Sequence, residues 1–226
     1  MLCRSFLILS VLISNLFNSF AQSRSVNESE VWPQYYLDLP IKDKWVVKSD
    51  FSHRYKEFFE NKTQWIGRVA AGYKFKEKYT VAVGYAYSEF FLASGKRLEH
   101  RPFQQIERED LFTGLRIGQR LRLEERFQKD RIVQKFNYRL RYQINATIPL
   151  LAKPRLSLSV SDELMLNAGK QVSGNKFDQN RAQIGLQLKL AEHLFITPAY
   201  LYLYQWQASK KDFRNVDVVR TLLIYR

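Results

Sequence analysis

Between residues 136 and 148 the chain alternates without a break. Phe136, Tyr138, Leu140, Tyr142, Ile144, Ala146 and Ile148 are apolar, and Asn137, Arg139, Arg141, Gln143, Asn145 and Thr147 between them are polar. No helix sorts such residues onto two faces, whereas an extended strand does so at every step. The same period of two runs through 45–55, 64–75, 79–88, 115–127, 155–166 and 181–190. Two stretches, 194–207 and 213–226, read as strands that are apolar on both faces in places. With 31–39 and the weaker 98–111 they complete a set of eleven predicted strands.

Connection lengths carry the next step. Short ones are expected at 40–43, 76–78, 113–114, 151–153 and 191–193, and longer ones at 57–61, 91–97, 128–132, 169–175 and 208–212. Tight turns on one side and longer loops on the other are the plan of an outer-membrane barrel, with the turns in the periplasm. A closed, wholly antiparallel barrel needs an even strand count. Eleven segments therefore predict ten strands, with 31–39 outside the wall, or twelve, with one unseen.

Alternation alone also fits a soluble lipocalin-like barrel with its apolar face inward. Strand length separates the two. Segment 136–148 exceeds the ~9 to 11 residues that cross a bilayer obliquely and the ~5 to 6 of an ordinary soluble strand. Aromatic residues gather near segment ends, at Trp45, Tyr55, Trp65, Tyr73, Tyr79, Tyr87, Trp206 and Tyr225, as interfacial girdles do. The expected fold class is all-β: an antiparallel up-and-down transmembrane β-barrel of 10 to 12 strands, its apolar face against outer-membrane lipid. In this register Asp162 falls on the lipid face, so a β-bulge is expected there to turn it away.

Arg4 precedes an apolar run over 6–20 that is interrupted only by serine and asparagine and is too short to span a membrane. Ser19-Phe20-Ala21 then supplies small residues at the spacing a signal peptidase reads. The expected organisation is a cleavable signal peptide over 1–21, a short extension over 22–30 and a barrel over 31–226, in the cell outer membrane. The only cysteine, Cys3, lies in the leader, so a mature chain starting at Gln22 has no thiol for redox, zinc-thiolate or nucleophilic chemistry. Lysine and arginine number 36 against 22 acids, a net charge of +14. Export argues against nucleic acid as the anionic partner, leaving lipid phosphates, small anions or a basic lumen.

If the apolar face meets lipid, the polar face lines the lumen. The basic cluster there is Arg68, Arg120, Arg122, Arg126, Arg139, Arg141, Arg155 and Arg181, with Lys48, Arg54, Lys74 and Lys189; the acids are Asp50, Glu124 and Glu163. Twelve cations against three acids leave nine without an evident partner. Catalytic signals are lacking: there is no Gly-x-Ser-x-Gly elbow, phosphate loop or His-Glu-x-x-His, and His53, His100 and His193 lie far apart. His53 beside Ser49 or Ser52 is the one arrangement a hydrolase might use, with solvated polar residues the simpler reading. No catalytic residue, metal site or cofactor is predicted.

Four strings remain: Glu99-His100-Arg101-Pro102-Phe103-Gln104-Gln105, Arg122-Leu123-Glu124-Glu125-Arg126-Phe127, Arg139-Leu140-Arg141-Tyr142 and Phe177-Asp178-Gln179-Asn180-Arg181. In that order, after the leader and Trp32, they resemble the exported family called domain of unknown function 2490. The resemblance covers most of the mature chain and implies an outer-membrane barrel and no particular reaction. Barrel-insertion machinery is an expected partner, with Tyr225 as the terminal aromatic, although the chain ends on Arg226.

Two functions compete. An arginine-lined lumen suits passage or binding of small anions. Alternatively an arginine–glutamate network fills the lumen, giving a plugged structural barrel whose outer loops make the contacts. A lipid-modifying enzyme is the weakest reading. Whether Arg122, Arg126, Arg139, Arg141 and Arg181 converge on an open channel or on Glu124 and Glu163 separates the first two.

Overall fold

A computed structural model describes residues 25–131, 134–150, 155–172, 175–207 and 212–226. The predicted signal peptide and its cleavage point fall outside them. Eleven strands follow in order: β1 (Ser25–Lys42), β2 (Trp45–Lys56), β3 (Asn61–Lys76), β4 (Tyr79–Leu92), β5 (Gly95–Phe112), β6 (Leu115–Lys129), β7 (Gln134–Pro149), β8 (Leu156–Ala168), β9 (Phe177–Lys189), β10 (Leu194–Gln207) and β11 (Asp212–Tyr225). Each contains one of the segments marked by alternation. Along β7 the outward Leu140 and Tyr142 are 42% and 44% exposed, whereas the inward Arg139 and Arg141 are 5% and 4% exposed. The wall is thus apolar outside and polar inside.

The strands close into one barrel. All neighbours are antiparallel except β1 and β11, which pair in parallel from Ser25↔Phe213 to Leu37↔Tyr225. The expectation of an even count is corrected by this seam. A parallel ladder has evenly spaced hydrogen bonds and closes an odd number of strands. Segment 31–39 is a full wall strand. It begins earlier than its apolar pattern indicates because Asn27, Glu28, Ser29 and Glu30 open it with polar side chains.

Loop lengths are less segregated than expected. Two-residue turns at Asp43–Lys44, Glu77–Lys78 and Thr113–Gly114 mark one end, here the turn end. Thr113 and Gly114 have φ of 46° and 89°, the left-handed pair that a tight hairpin requires. At the opposite, loop end the connection anticipated over 91–97 is only Ala93–Ser94, because β4 and β5 pair to Leu92↔Gly95. The longest connection, 169–176, does lie at the loop end.

Two apolar clusters sit inside the barrel. Trp32, Leu201, Leu203, Val216 and Val218 pack together beside the seam, which is why β10 and β11 look apolar on both faces. Opposite, Phe103 packs on Ala70, Ala82 and Ala86. A Cβ on Gly84 would lie 2.4 Å from the Phe103 ring, so glycine there makes room for it. Outside, aromatic pairs form two belts: Trp45–Tyr73 and Phe75–Tyr79 toward the turn end, and Trp65–Tyr87, Phe127–Phe136 and Tyr204–Phe213 toward the loop end.

The bulge expected at Asp162 is not there. β8 runs in register through Ile144↔Asp162 and Asp162↔Ala182, and its irregularity falls between Met165 and Leu166. The carboxylate stays outward and accepts a hydrogen bond from Asn180 Nδ2 at 3.0 Å. A local amide donor, and not a register shift, accommodates it.

Candidate functional site

Strands β5 to β9 aim their polar residues at one point in the lumen. Register sets the partners: Arg139 lies opposite Glu124, Arg141 opposite Arg122, and Arg181 opposite Glu163. Glu124 has no exposed surface. It accepts hydrogen bonds from Arg139 Nε and Arg141 Nη1, each at 2.8 Å, with Arg122 at 3.7 Å and Arg101 at 3.8 Å. Around it, Glu163 accepts from Arg141 at 2.6 Å and Arg120 at 2.7 Å, and Asp178 from Arg139 at 3.1 Å. Glu99 takes Arg126 at 2.6 Å, with Arg101 at 3.2 Å. Across the barrel Arg68 bonds Asp50, which also accepts from Gln34 at 3.1 Å.

A carboxylate removed from water is costly unless several donors replace its hydration. Every acid of this web has them. Arg126, Arg139 and Arg141, expected to line a channel, therefore converge on carboxylates inside the barrel.

This corrects the nine-cation excess. Asp50, Glu124 and Glu163 are joined on the inner side by Glu28, Glu30, Glu99, Glu107 and Asp178, which the alternation did not mark as lumen acids. Glu99 sits on the weakly patterned β5. Asp178 sits at the β9 bulge, where Leu166 pairs with Phe177 and Met165 with Gln179, so that Asp178 and Gln179 are both buried inward. Glu28 and Glu30 precede the expected start of the first strand; Lys56 reaches Glu28 at 2.6 Å, and Arg214 bonds both. Glu107 holds Lys48 at 2.7 Å. Also unforeseen were Arg101, Arg214 and Arg220, the last bonded to Gln34 and Gln183 at 2.6 Å each. Conversely Arg155 and Lys189 are exposed at the turn end, outside the web.

The motif residues divide by parity. Glu99, Arg101 and Gln105 point inward, Gln105 accepting from Arg122 Nε at 2.7 Å. Pro102 and Gln104 point outward, as does His100 beside Tyr85 and Tyr87. Asn180 faces outward on Asp162 while Gln179 and Arg181 face in. The histidine–serine arrangement is not assembled: His53 packs between Phe51 and Tyr55, and Ser49 Oγ donates to the Arg68 carbonyl at 3.1 Å. Among the described residues no three His, Cys, Asp or Glu side chains gather as metal ligands.

A cavity lies toward each end of the barrel interior. The turn-end cavity, about 590 Å³, is lined by nine lysines and arginines against five acids. The loop-end cavity, about 330 Å³, is lined by ten against only Glu30, Glu99 and Asp178. The latter is the more one-sided and includes Arg139 and Arg141 in its lining.

A family model described as "Protein of unknown function (DUF2490)" matches residues 29–214. The chain belongs to this family. The resemblance carried by the four strings is therefore a true membership, and it covers the DUF2490 barrel from the first strand to the start of the last. No curated protein matches the chain. A solved structure described as the NanC porin is similar in fold, with a TM-score of 0.51 and 13% identity over 87% of this chain and 98% of that one. At that identity the likeness concerns architecture: the DUF2490 chain has a porin-like β-barrel.

Proposed function

We propose that this DUF2490 protein resides in the outer membrane as a closed barrel that receives small anions in its loop-end cavity and holds them there, instead of conducting them. One observation carries the reading: ten cationic side chains line the cavity against three acids, and three of them, Arg54, Arg97 and Arg181, have a buried Nε without a hydrogen-bond partner. Walls of protein around like charges strengthen their field, which concentrates counter-ions at the mouth. The apolar outer face, the two aromatic belts and the leader expected from the sequence of 1–21 support the outer-membrane location. No enzymatic step is assigned.

The plugged structural barrel shares the Glu124 web and differs in leaving the cavity without a ligand. Planar-bilayer recording tests the closure. Purified protein is expected to carry no steady current. A steady anion-selective current in the parent would overturn the closed reading in favour of passage, and a cation-selective one would contradict the basic lumen as well.

A further inference from the structure

Resting on the reading of a closed, anion-holding barrel, we infer that the loop-end cavity is built for a tetrahedral dianion, a phosphate or phosphomonoester group, received between Arg54 and Arg181 at Trp32. Arg54 comes from β2 and Arg181 from β9, and both reach the same indole. The guanidinium carbon of Arg54 lies 3.8 Å from a Trp32 ring centroid and that of Arg181 5.4 Å. Trp32 is itself held in place, its Nε1 donating to Glu30 at 2.6 Å. Glu30 also bonds Arg214, so its carboxylate is occupied.

Neither guanidinium has a carboxylate of its own within hydrogen-bond reach. Arg54 makes no ion pair with a described acid within 4 Å, and its Nε is buried without a hydrogen-bond partner. The Nε of Arg181 is in the same condition. Its nearest carboxylate, Glu163, stands 3.7 Å away and already serves Arg141 and Arg120. A third guanidinium, Arg97 from β5, stacks 4.3 Å over Phe90 in the lining of the same cavity, and its Nε is also buried and unpartnered. Buried donors without acceptors and like charges in one cavity both disfavour the empty state. An oxyanion between them removes both penalties.

The chemistry of the ligand follows from how the donors are arranged. A carboxylate is planar and is satisfied by a single guanidinium fork. Here donors approach from three strands on different sides of the lumen. That suits oxygens disposed around one tetrahedral centre, and the excess of cations favours two negative charges over one. A volume of about 330 Å³ admits a phosphate with a small substituent and excludes a polymer. Such a group could arrive as a free phosphate ester or as the headgroup of a lipid bending in at the rim.

The test is titration calorimetry on the full-length barrel in detergent, with inorganic phosphate and, at equal ionic strength, acetate. Phosphate is expected to saturate one site per barrel and acetate to bind at least ~10-fold more weakly. R54Q and R181Q should each weaken phosphate ~10-fold or more, the loss of a charge-assisted hydrogen bond. R54K, which keeps the charge and loses the fork, should fall between, and provides the reading if R54Q does not fold. K74Q, in the turn-end cavity, should bind as the parent does. Short-chain phosphatidic acid that competes with phosphate, and loses that competition in R54Q, assigns the site to a headgroup; failure to compete assigns it to a free ester. If acetate binds as tightly as phosphate and depends equally on Arg54, the dianion inference is wrong while the anion-holding barrel stands. If neither anion binds, both fall.

Discussion

Replacing Glu124 by glutamine probes the centre of the lumen without changing its volume. The carboxylate has no exposure, and four guanidinium groups lie within 3.8 Å of it. Removing its charge does not strand all four equally. Arg139 keeps Asp178 at 3.1 Å, Arg141 keeps Glu163 at 2.6 Å, Arg122 keeps the Gln105 amide oxygen at 2.7 Å and Arg101 keeps Glu99 at 3.2 Å. Breaking a buried pair outright costs about 3–5 kcal/mol, and the surviving partners place E124Q at the lower end, near ~3 kcal/mol. Losing one acid of an exposed pair, as in Glu109→Gln beside Arg116, should cost about 0–1 kcal/mol. The assay is urea unfolding in micelles, read by the gel mobility that separates a closed barrel from its unfolded chain. Adding R139Q to E124Q should recover part of the loss, because the two positions share one interaction. E124Q within ~1 kcal/mol of the parent, under the same conditions, would show that the web is a passive filling and refute the reasoning.

Two substitutions test the wall itself. Leu140→Arg, which puts a charge on the outward face, should impair membrane insertion by ~2–4 kcal/mol. Arg139→Lys, one residue away and inward, should insert normally; heat-shifted gel mobility of membrane fractions reads both, and equal tolerance would mean the faces are reversed. Gly84→Val should destabilise the barrel by ~1–3 kcal/mol or more through overpacking, since even its Cβ would meet Phe103 at 2.4 Å, the Val69 carbonyl at 2.6 Å and Ala70 at 2.7 Å. Pairing it with Phe103→Ala, which clears the nearest contact, should restore part of the stability in the same urea assay.

Wherever one face meets an apolar exterior and the other a charged interior, two-residue periodicity located the strand, as in β7. It blurred where that contrast failed. β5 carries His100, Pro102 and Gln104 on its outer face, so both faces look polar and Glu99 and Arg101 could not be assigned to the lumen. β10 and β11 carry Leu201, Leu203, Val216 and Val218 inward, so both faces look apolar. The pairing of Arg139 and Arg141 with Glu124 could not be read from sequence, because it depends on strand register. Strand parity misled for a different reason: nothing local in Ser25–Lys42 or Asp212–Tyr225 states which way the two will lie against each other. The loop-end cavity was legible only as an arginine surplus. Arg54 and Arg181 meet at Trp32 across the barrel interior, and sequence separation says nothing of that.

The parallel seam gives the molecule a polarity that its wall does not have. With an odd number of strands, β1 starts at the loop end and β11 finishes at the turn end, so the polypeptide enters by one mouth and leaves by the other. An even-stranded barrel would bring both to the same side. For a barrel in the outer membrane, as proposed, a tag fused immediately before Ser25 and another after Arg226 would report from opposite compartments, and antibody access to intact cells would distinguish them. Anything joined ahead of β1 also emerges near Lys56 and Arg214, at the doorway of the basic cavity, in the path of any ligand that enters there.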